Sequence, residues 1–292
     1  MNPGNICFAN AFVVCQAWAT LLAGALDPKW WPLGGFEFFR SVTAISGLPL
    51  NLLKFQPFLW LLTDGWTLAD MDRQQDVAEF AHWFLMRTTP LFVDCAWVAR
   101  FVRDGLENDP SVRHETGHPY GLIQLSLDPR HDTCSLQTLI DQWHDCQGVC
   151  RAATQVGRVI ILSLSRFLPD DTHKITQKIV FYNTLHFPCF IANTAEFCNY
   201  QCKICGFVYH EGATPLSGHY RAAVHCNNQW LIYDDCKLPD KHVDLPDVVL
   251  RNTVLFWLLP VDGIARNSDE LTVLRYRNHM MDNEDETGDA DL

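Results

Sequence analysis

Apolar residues recur at helical spacing in the first part of the chain and alternate at strand spacing in the rest. Phe8, Ala11, Phe12, Cys15, Trp18, Ala19 and Leu22 fall three or four apart, which predicts a helix from about Cys7 to Leu22. Asp27-Pro28 and Pro32-Leu33-Gly34-Gly35 break the chain after it. A second helix is predicted to begin near Asp70 or Asp72. Its face is Val77, Phe80, Ala81, Phe84 and Leu85, and Thr88-Thr89-Pro90 stops it. Residues 104–120 are polar and turn-rich and read as a loop or boundary. Strand patterns then follow at 122–127, 158–167, 207–210, 219–225, 230–234 and 253–259. Cys226-Asn227-Asn228-Gln229 reads as the turn of a hairpin. From Ser268 the chain is polar, and disorder is expected after about residue 278. Helices first and strands later predict an α+β fold with one cleft between two lobes.

Composition narrows the function classes. The 292 residues are 48% hydrophobic and 19% charged, a globular balance. Lys and Arg number 22 against 34 Asp and Glu, a net charge of −12, which argues against nucleic acid as a partner. Six acids and no base lie in residues 281–292. The most apolar stretch, Leu48 to Trp66, is interrupted by Pro49, Asn51, Lys54, Gln56, Pro57 and Asp64, so no membrane span is expected. The start, MNPGNICFAN, carries no secretory signal. The twelve cysteines are therefore expected to be mostly reduced thiols in a cytoplasmic or nuclear compartment. Of the tryptophans, Trp30, Trp31, Trp60, Trp66, Trp83 and Trp97 read as core of the helical lobe.

Three distant segments carry chemistry. In Asn2 to Asn10 a cysteine, Cys7, stands where a glycine-containing turn enters a helix, and free backbone N–H groups there favour an anionic thiolate. Gly218-His219-Tyr220 opens a strand, and Trp230 to Asp235 closes its hairpin partner. The hairpin brings His219 and Asp234 to one end. A carboxylate can then hold the imidazole, and the imidazole can take a thiol proton, the logic of a cysteine protease.

These segments resemble the ubiquitin-specific proteases, papain-like cysteine peptidases that remove ubiquitin. Asn2 to Asn10 is similar to the family's N-x-G-N-T-C-Y-M-N. Gln74-Gln75-Asp76-Val77-Ala78-Glu79-Phe80 is similar to its Q-Q-D-A-x-E-F, and 158–167 to its strand ending L-K-R-F, with Ser165 in place of the Lys. Gly218-His219-Tyr220 and Trp230, Tyr233, Asp234, Asp235 match its G-H-Y and W-x-x-F-D-D, and 253–257 resembles its last strand. The matches come in the family's order.

The resemblance implies a papain-like domain over residues 1–264, with a helical thumb at about 1–110 and a β-rich palm with reduced fingers at about 118–262. A polar acidic tail, 265–292, would follow. It implies Cys7 as nucleophile, His219 as base and then acid, Asp234 as orienter with Asp235 sharing that role, and Asn2 as oxyanion donor. Asp76 and Glu79, with Gln75, Gly218 and Tyr220, would contact the arginine-bearing, Gly-Gly-ending tail of ubiquitin. Ubiquitin and ubiquitinated proteins are the implied partners, with neither nucleic acid nor membrane, and the chain is expected to be a monomer. No cofactor is implied. A structural zinc at Cys146 and Cys150 is the alternative, with His114 and His118 near in sequence, whereas Cys202 and Cys205 lie on a strand at a spacing that points them to opposite faces. Ile6, Phe8, Ala9 and Ala11 depart from the motif, and only Met1 precedes Asn2, so either the sequence is a truncated product or fragment, or the oxyanion loop is looser than the family's. Two other readings stay open: a weak or inactive ubiquitin-binding module, and a protease for another ubiquitin-like modifier.

Overall fold

The computed structural model describes residues 7–23, 75–88, 96–101, 122–146, 149–167, 174–182, 184–191, 197–214, 217–235, 237–261 and 273–274. In chain order the elements are α1 (Cys7–Leu22), α2 (Val77–Thr88), β1 (Ala96–Phe101), β2 (Ile123–Ser126), β3 (Thr133–Ser135), α3 (Leu136–His144), β4 (Asp145–Cys146), β5 (Val149–Gln155), β6 (Ile160–Ser165), β7 (Lys178–Val180), β8 (Thr184–Phe190), β9 (Phe197–Thr214), β10 (Ser217–Cys226), β11 (Gln229–Tyr233), β12 (Asp240–His242), α4 (Asp247–Asn252), β13 (Thr253–Pro260) and β14 (Val273–Leu274). None of the described helices is long and apolar enough to cross a membrane.

The helix α1 forms where its spacing predicts and is buried from Cys7 to Thr20, as a helix apolar all round should be. It lies on the sheet through the Cys15 thiol, which donates to Phe207 O at 3.3 Å, and the Trp18 indole, which donates to His225 O at 3.2 Å. The Trp257 indole donates to Gln16 Oε1 at 2.9 Å from β13. Gly206 on β9 permits this approach, since a Cβ there would stand 3.1 Å from Ala223 O and 3.4 Å from Cys15 Sγ. On its other side α1 meets α2, where Phe8 and Phe12 set their edges against Phe80 at 5.3 and 5.5 Å between centroids.

The helix α2 starts at Val77, later than predicted. Gln75 and Asp76 are not helical, because Asp76 caps the helix: its Oδ1 accepts from Ala78 N at 2.6 Å and more weakly from Glu79 N at 3.4 Å. The expected start at Asp70 or Asp72 lies outside the described residues.

The long strand β9 organises the sheet. It pairs with β8 over its first half, with β10 over its second and with β13 along the other edge. The order β9-β10-β11-β12 extends one way, and β8-β5-β1 the other. The predicted hairpin forms: β10 and β11 are joined by Asn227 and Asn228, both with positive φ (49° and 61°), the conformation a two-residue turn of this twist needs. Among the described residues strand structure starts at Ala96, ahead of the predicted boundary near residue 118, so Trp97 belongs to β1, where it packs on Trp143 (5.5 Å). The helix α3 was not predicted, although its buried Leu136, Leu139, Ile140 and Trp143 and its Ser135 cap carry the pattern. Trp30, Trp31, Trp60 and Trp66 lie outside the described residues, as does the tail 265–292 apart from β14, which pairs with the start of β9.

Arg166, just past β6, is fully buried and has backbone carbonyls as acceptors in place of a carboxylate. It donates to Thr253 O, Ile175 O (2.8 Å), Gln177 O (2.9 Å) and Leu250 O (3.3 Å), tying β13, α4 and the approach to β7 together. Burial, with Arg251 nearby, lowers its pKa to about 9. Arg166→Met should cost about 3 kcal/mol or more, because several buried acceptors lose their donor together. A thermal or urea melt reads it; an unchanged midpoint would count against the clamp.

Candidate active site

Cys7, His219 and Asp234 each stand at the end of an element. Cys7 is the first residue of α1 and is 2% exposed. His219 sits near the start of β10, beside a register shift between Ser217 and His219. Asp234 follows the last residue of β11. Because β10 and β11 pair Ala222 with Tyr233, the residues just beyond that pair share one end of the hairpin.

His219 Nε2 lies 2.6 Å from Asp234 Oδ1. The Cys7 thiol is near enough to act on the imidazole electrostatically, and with Nε2 engaged by Asp234 the ring nitrogen left for sulfur is Nδ1. Cys7, opposed by burial and assisted by Asp234, raises the His219 pKa to about 9. Burial pushes the Asp234 carboxyl upward, but bonds from Lys237 and His219 and the charge of Arg221 outweigh it and hold the pKa at about 2.

The second acid is held differently. Asp235 Oδ2 is 3.9 Å from His219 Nε2, and its Oδ1 accepts from Asn10 Nδ2 at 3.0 Å. Asp235 has φ of 48° in the turn after β11, which lets consecutive acids face one site from different directions. Asn10 thus links α1, which carries Cys7, to the acid pair.

The expected substrate-contact residues separate into groups. Asp76 and Glu79 open α2, where Asp76 Oδ1 serves the helix cap. Gln75 is half-buried just before it. Tyr220 is a correction to the sequence reading: it is 1% exposed, its hydroxyl lies under the start of α2 near the Val77 backbone, and its ring packs on His210 at 4.3 Å. It supports the start of α2 and offers almost no surface to a substrate. Gly218 has φ of +140°, and a Cβ there would lie 2.3 Å from Glu211 O, so the closeness of β9 already demands glycine. Asn2 and Gly4 lie outside the described residues.

Among the described residues one cluster has the geometry for a metal: His219, Asp234 and Asp235. Lys237 Nζ and Arg221 Nε already face Asp234 Oδ2 at 2.6 and 3.2 Å, which disfavours a further cation there. At the position considered for zinc, the Cys150 thiol faces His144 Nε2 at 3.5 Å, and the side chain of Cys146 lies outside the described residues, as do His114 and His118. Cys202 and Cys205 are both buried and turn to different backbone carbonyls, Tyr200 O and Trp257 O.

The sequence model of the ubiquitin carboxyl-terminal hydrolase family matches residues 56–257, more than half of the chain. The chain belongs to the ubiquitin carboxyl-terminal hydrolase family. The family match contains His219, Asp234 and Asp235 and begins downstream of Cys7. Solved structures of ubiquitin-specific proteases share the hydrolase fold seen here. The chain aligns with the SAGA Ubp8/Sgf11/Sus1/Sgf73 DUB module bound to ubiquitin aldehyde at TM-score 0.62 and 17% identity, covering 90% of this chain and 69% of that one. It aligns with the yeast SAGA DUB module carrying an Sgf73 mutant at TM-score 0.61 and 16% identity, covering 90% and 68%. The module bound to monoubiquitin gives TM-score 0.60 and 16% identity over the same shares. No curated protein matches the sequence. The α+β, papain-like architecture expected of the hydrolase is the one observed.

The site also contains residues that sequence reading passed over. Arg221 and Lys237 contact Asp234, and Asn10 contacts Asp235. Arg221 had a readable signal, since it lies two residues past His219 and a strand puts such residues on one face. The site also makes a pH prediction. His219 has a folded pKa of about 9 against an ordinary 6.5, so its protonation stabilises the fold fully below about pH 6.5 and is lost as pH rises to about 9. The melting temperature should fall across that window, and fall less in His219→Gln. Parallel slopes would contradict the shift.

Proposed function

We propose that this chain is a thiol-dependent deubiquitinase that hydrolyses the isopeptide bond after the C-terminal glycine of ubiquitin through Cys7, His219 and Asp234. The observation that carries the reading is an imidazole held by the Asp234 carboxylate at 2.6 Å, with the Cys7 thiol near enough to raise its pKa. Asp234 holds Nε2, so Nδ1 is left for sulfur. The thiolate attacks the glycine carbonyl and forms the C–S bond. The proton on Nδ1 passes to the leaving lysine amine as the C–N bond breaks. His219, now neutral, takes a proton from water, the hydroxide attacks the thioester, and the C–S bond breaks to release the glycine carboxylic acid, which ionises to solvent and leaves the thiolate and protonated imidazole of the start. Asn2 and a backbone N–H near Cys7 would bind the oxyanion, the kind of contact worth about 3 kcal/mol in the transition state. Asp235 supports the site through Asn10 and acts on the imidazole only at longer range. Asp76, Glu79 and Gln75, at the head of α2, are the proposed acceptors for the basic tail of ubiquitin, and Gly218 leaves room for its terminal glycines.

The palm and thumb would act as one catalytic domain over residues 1–264, working as a monomer, without a catalytic metal, in the cytoplasm or nucleus. Incubation with an isopeptide-linked ubiquitin–lysine substrate tests the reading. Release of the lysine moiety, blocked by a thiol alkylating agent, is the expected result. Ubiquitin binding without release would make the chain a binding module. Release from another ubiquitin-like modifier, with ubiquitin untouched, would reassign the substrate.

A further inference from the structure

Arg221 stands on the same face of β10 as His219, two residues on. Across the strand pair, His219 is in register with Glu211 of β9 and Arg221 with Tyr209. A carboxylate directly opposite a histidine lies within easy reach of it, because cross-strand neighbours stand about 5 Å apart at Cβ. Glu211 is thus a third acid beside the imidazole, after Asp234 and Asp235. It does not pair with His219. Its Oε2 accepts from Arg221 Nη1, while Nε of the same guanidinium lies 3.2 Å from Asp234 Oδ2. One planar group spans two carboxylates, a reach that a lysine ammonium lacks.

We propose that Arg221 is a positioning residue of the triad: it draws Glu211 away from His219 and fixes Asp234 Oδ2, so that the imidazole is oriented by Asp234 Oδ1 alone. The proposal rests on the catalytic reading of Cys7, His219 and Asp234 and adds a residue to it. The division of Asp234 is plain in the geometry. Oδ1 serves His219 at 2.6 Å, and Oδ2 serves Arg221 and Lys237. A carboxylate held at both oxygens cannot swing, and an imidazole held at Nε2 leaves Nδ1 for the sulfur. The Arg221 side chain is 24% exposed and that of Lys237 73%, so Arg221 is the less solvent-screened of the two cations. The other charged or titratable groups around His219 are Cys7 from α1, Asp235 after β11 and His210 from β9. Burial first, then the charges of Lys174 and His219, lowers the His210 pKa to about 3, so it brings no charge.

Losing Arg221 acts in one direction. It frees Glu211 to approach the imidazole and removes a cation beside Asp234, and both changes favour the protonated ring. In Arg221→Met the His219 titration midpoint, read by NMR of the ring carbon and assigned through His219→Gln, should rise by about one pH unit. Adding Glu211→Gln should return most of that rise. With a ubiquitin–amide substrate, kcat should fall about 10-fold while KM stays within about twofold, since the loss lies in orientation and not in binding. Arg221→Lys should lose kcat too, because it keeps the charge and lacks the fork; it carries the test if Arg221→Met fails to fold. A His219 midpoint and kcat unmoved by either substitution overturn the proposal, as does a rise that Glu211→Gln leaves in place. The titration needs no ubiquitin, so a wild-type chain inert towards ubiquitin would sink the deubiquitinase reading while this result stands apart.

Discussion

Cys7→Ala is expected to lower hydrolysis of a ubiquitin–lysine isopeptide by about 10⁴-fold or more, to the level of binding-assisted water attack. The reasoning starts from placement. Cys7 opens a helix held to the sheet by Cys15, Trp18 and Gln16, so the thiol is fixed relative to β10 by buried contacts made about two to three turns away. Its thiol is the one that acts on His219, and no other described cysteine takes that place. The affinity for ubiquitin should survive the substitution, because the proposed tail contacts belong to the head of α2. A Cys7→Ala protein that retains more than a few per cent of wild-type turnover would require another nucleophile. One that loses ubiquitin binding together with turnover would point to a collapsed helix, which a melt would reveal.

The second large effect separates two neighbouring acids. Asp234→Asn should reduce kcat by about 10³- to 10⁴-fold, because an amide can present a donor to Nε2 and leave the imidazole in the wrong tautomer. Asp235→Asn should cost about 10-fold, since that carboxylate is 3.9 Å from Nε2 and already accepts from Asn10. The contrast is the informative part. Equal losses would mean that the two acids share the orienting bond, and a larger loss at Asp235 would reverse the assignment. The pH profile adds a check: activity in the wild type should fall above about pH 9 as His219 loses its proton. In Asp234→Asn that fall should begin at lower pH, since the imidazolium no longer has its nearest carboxylate.

Much of the site was readable because strands and hairpins translate spacing into position. The alternation around His219 and the two-residue Asn227-Asn228 turn together place His219 and Asp234 at one hairpin end. The helix α1 was readable from its period, but its burial on every side was not, since that depends on β9, β10 and α2 closing around it. The start of α2 was misjudged because a capping acid and a first-turn acid look alike in sequence: Asp76 stops the helix from extending back by bonding its free N–H groups. Tyr220 was read for its place in a motif, and only packing reveals that its side chain faces the core. Arg221, Glu211 and Lys237 were overlooked for the opposite reason. Each is an ordinary charged residue in sequence; the strand spacing puts Arg221 on the face of His219, but the partners Glu211 and Lys237 come from cross-strand register and a turn, which spacing alone leaves open.

The central claim is that the Cys7 sulfur and the His219 ring form one reactive pair. Intact-protein mass spectrometry after exposure to ubiquitin bearing a C-terminal electrophile tests it most directly. The predicted result is one added ubiquitin, mapped by peptide sequencing to Cys7, absent in Cys7→Ala and strongly slowed in His219→Gln. An unmodified protein, or an adduct on any other cysteine, would contradict the account.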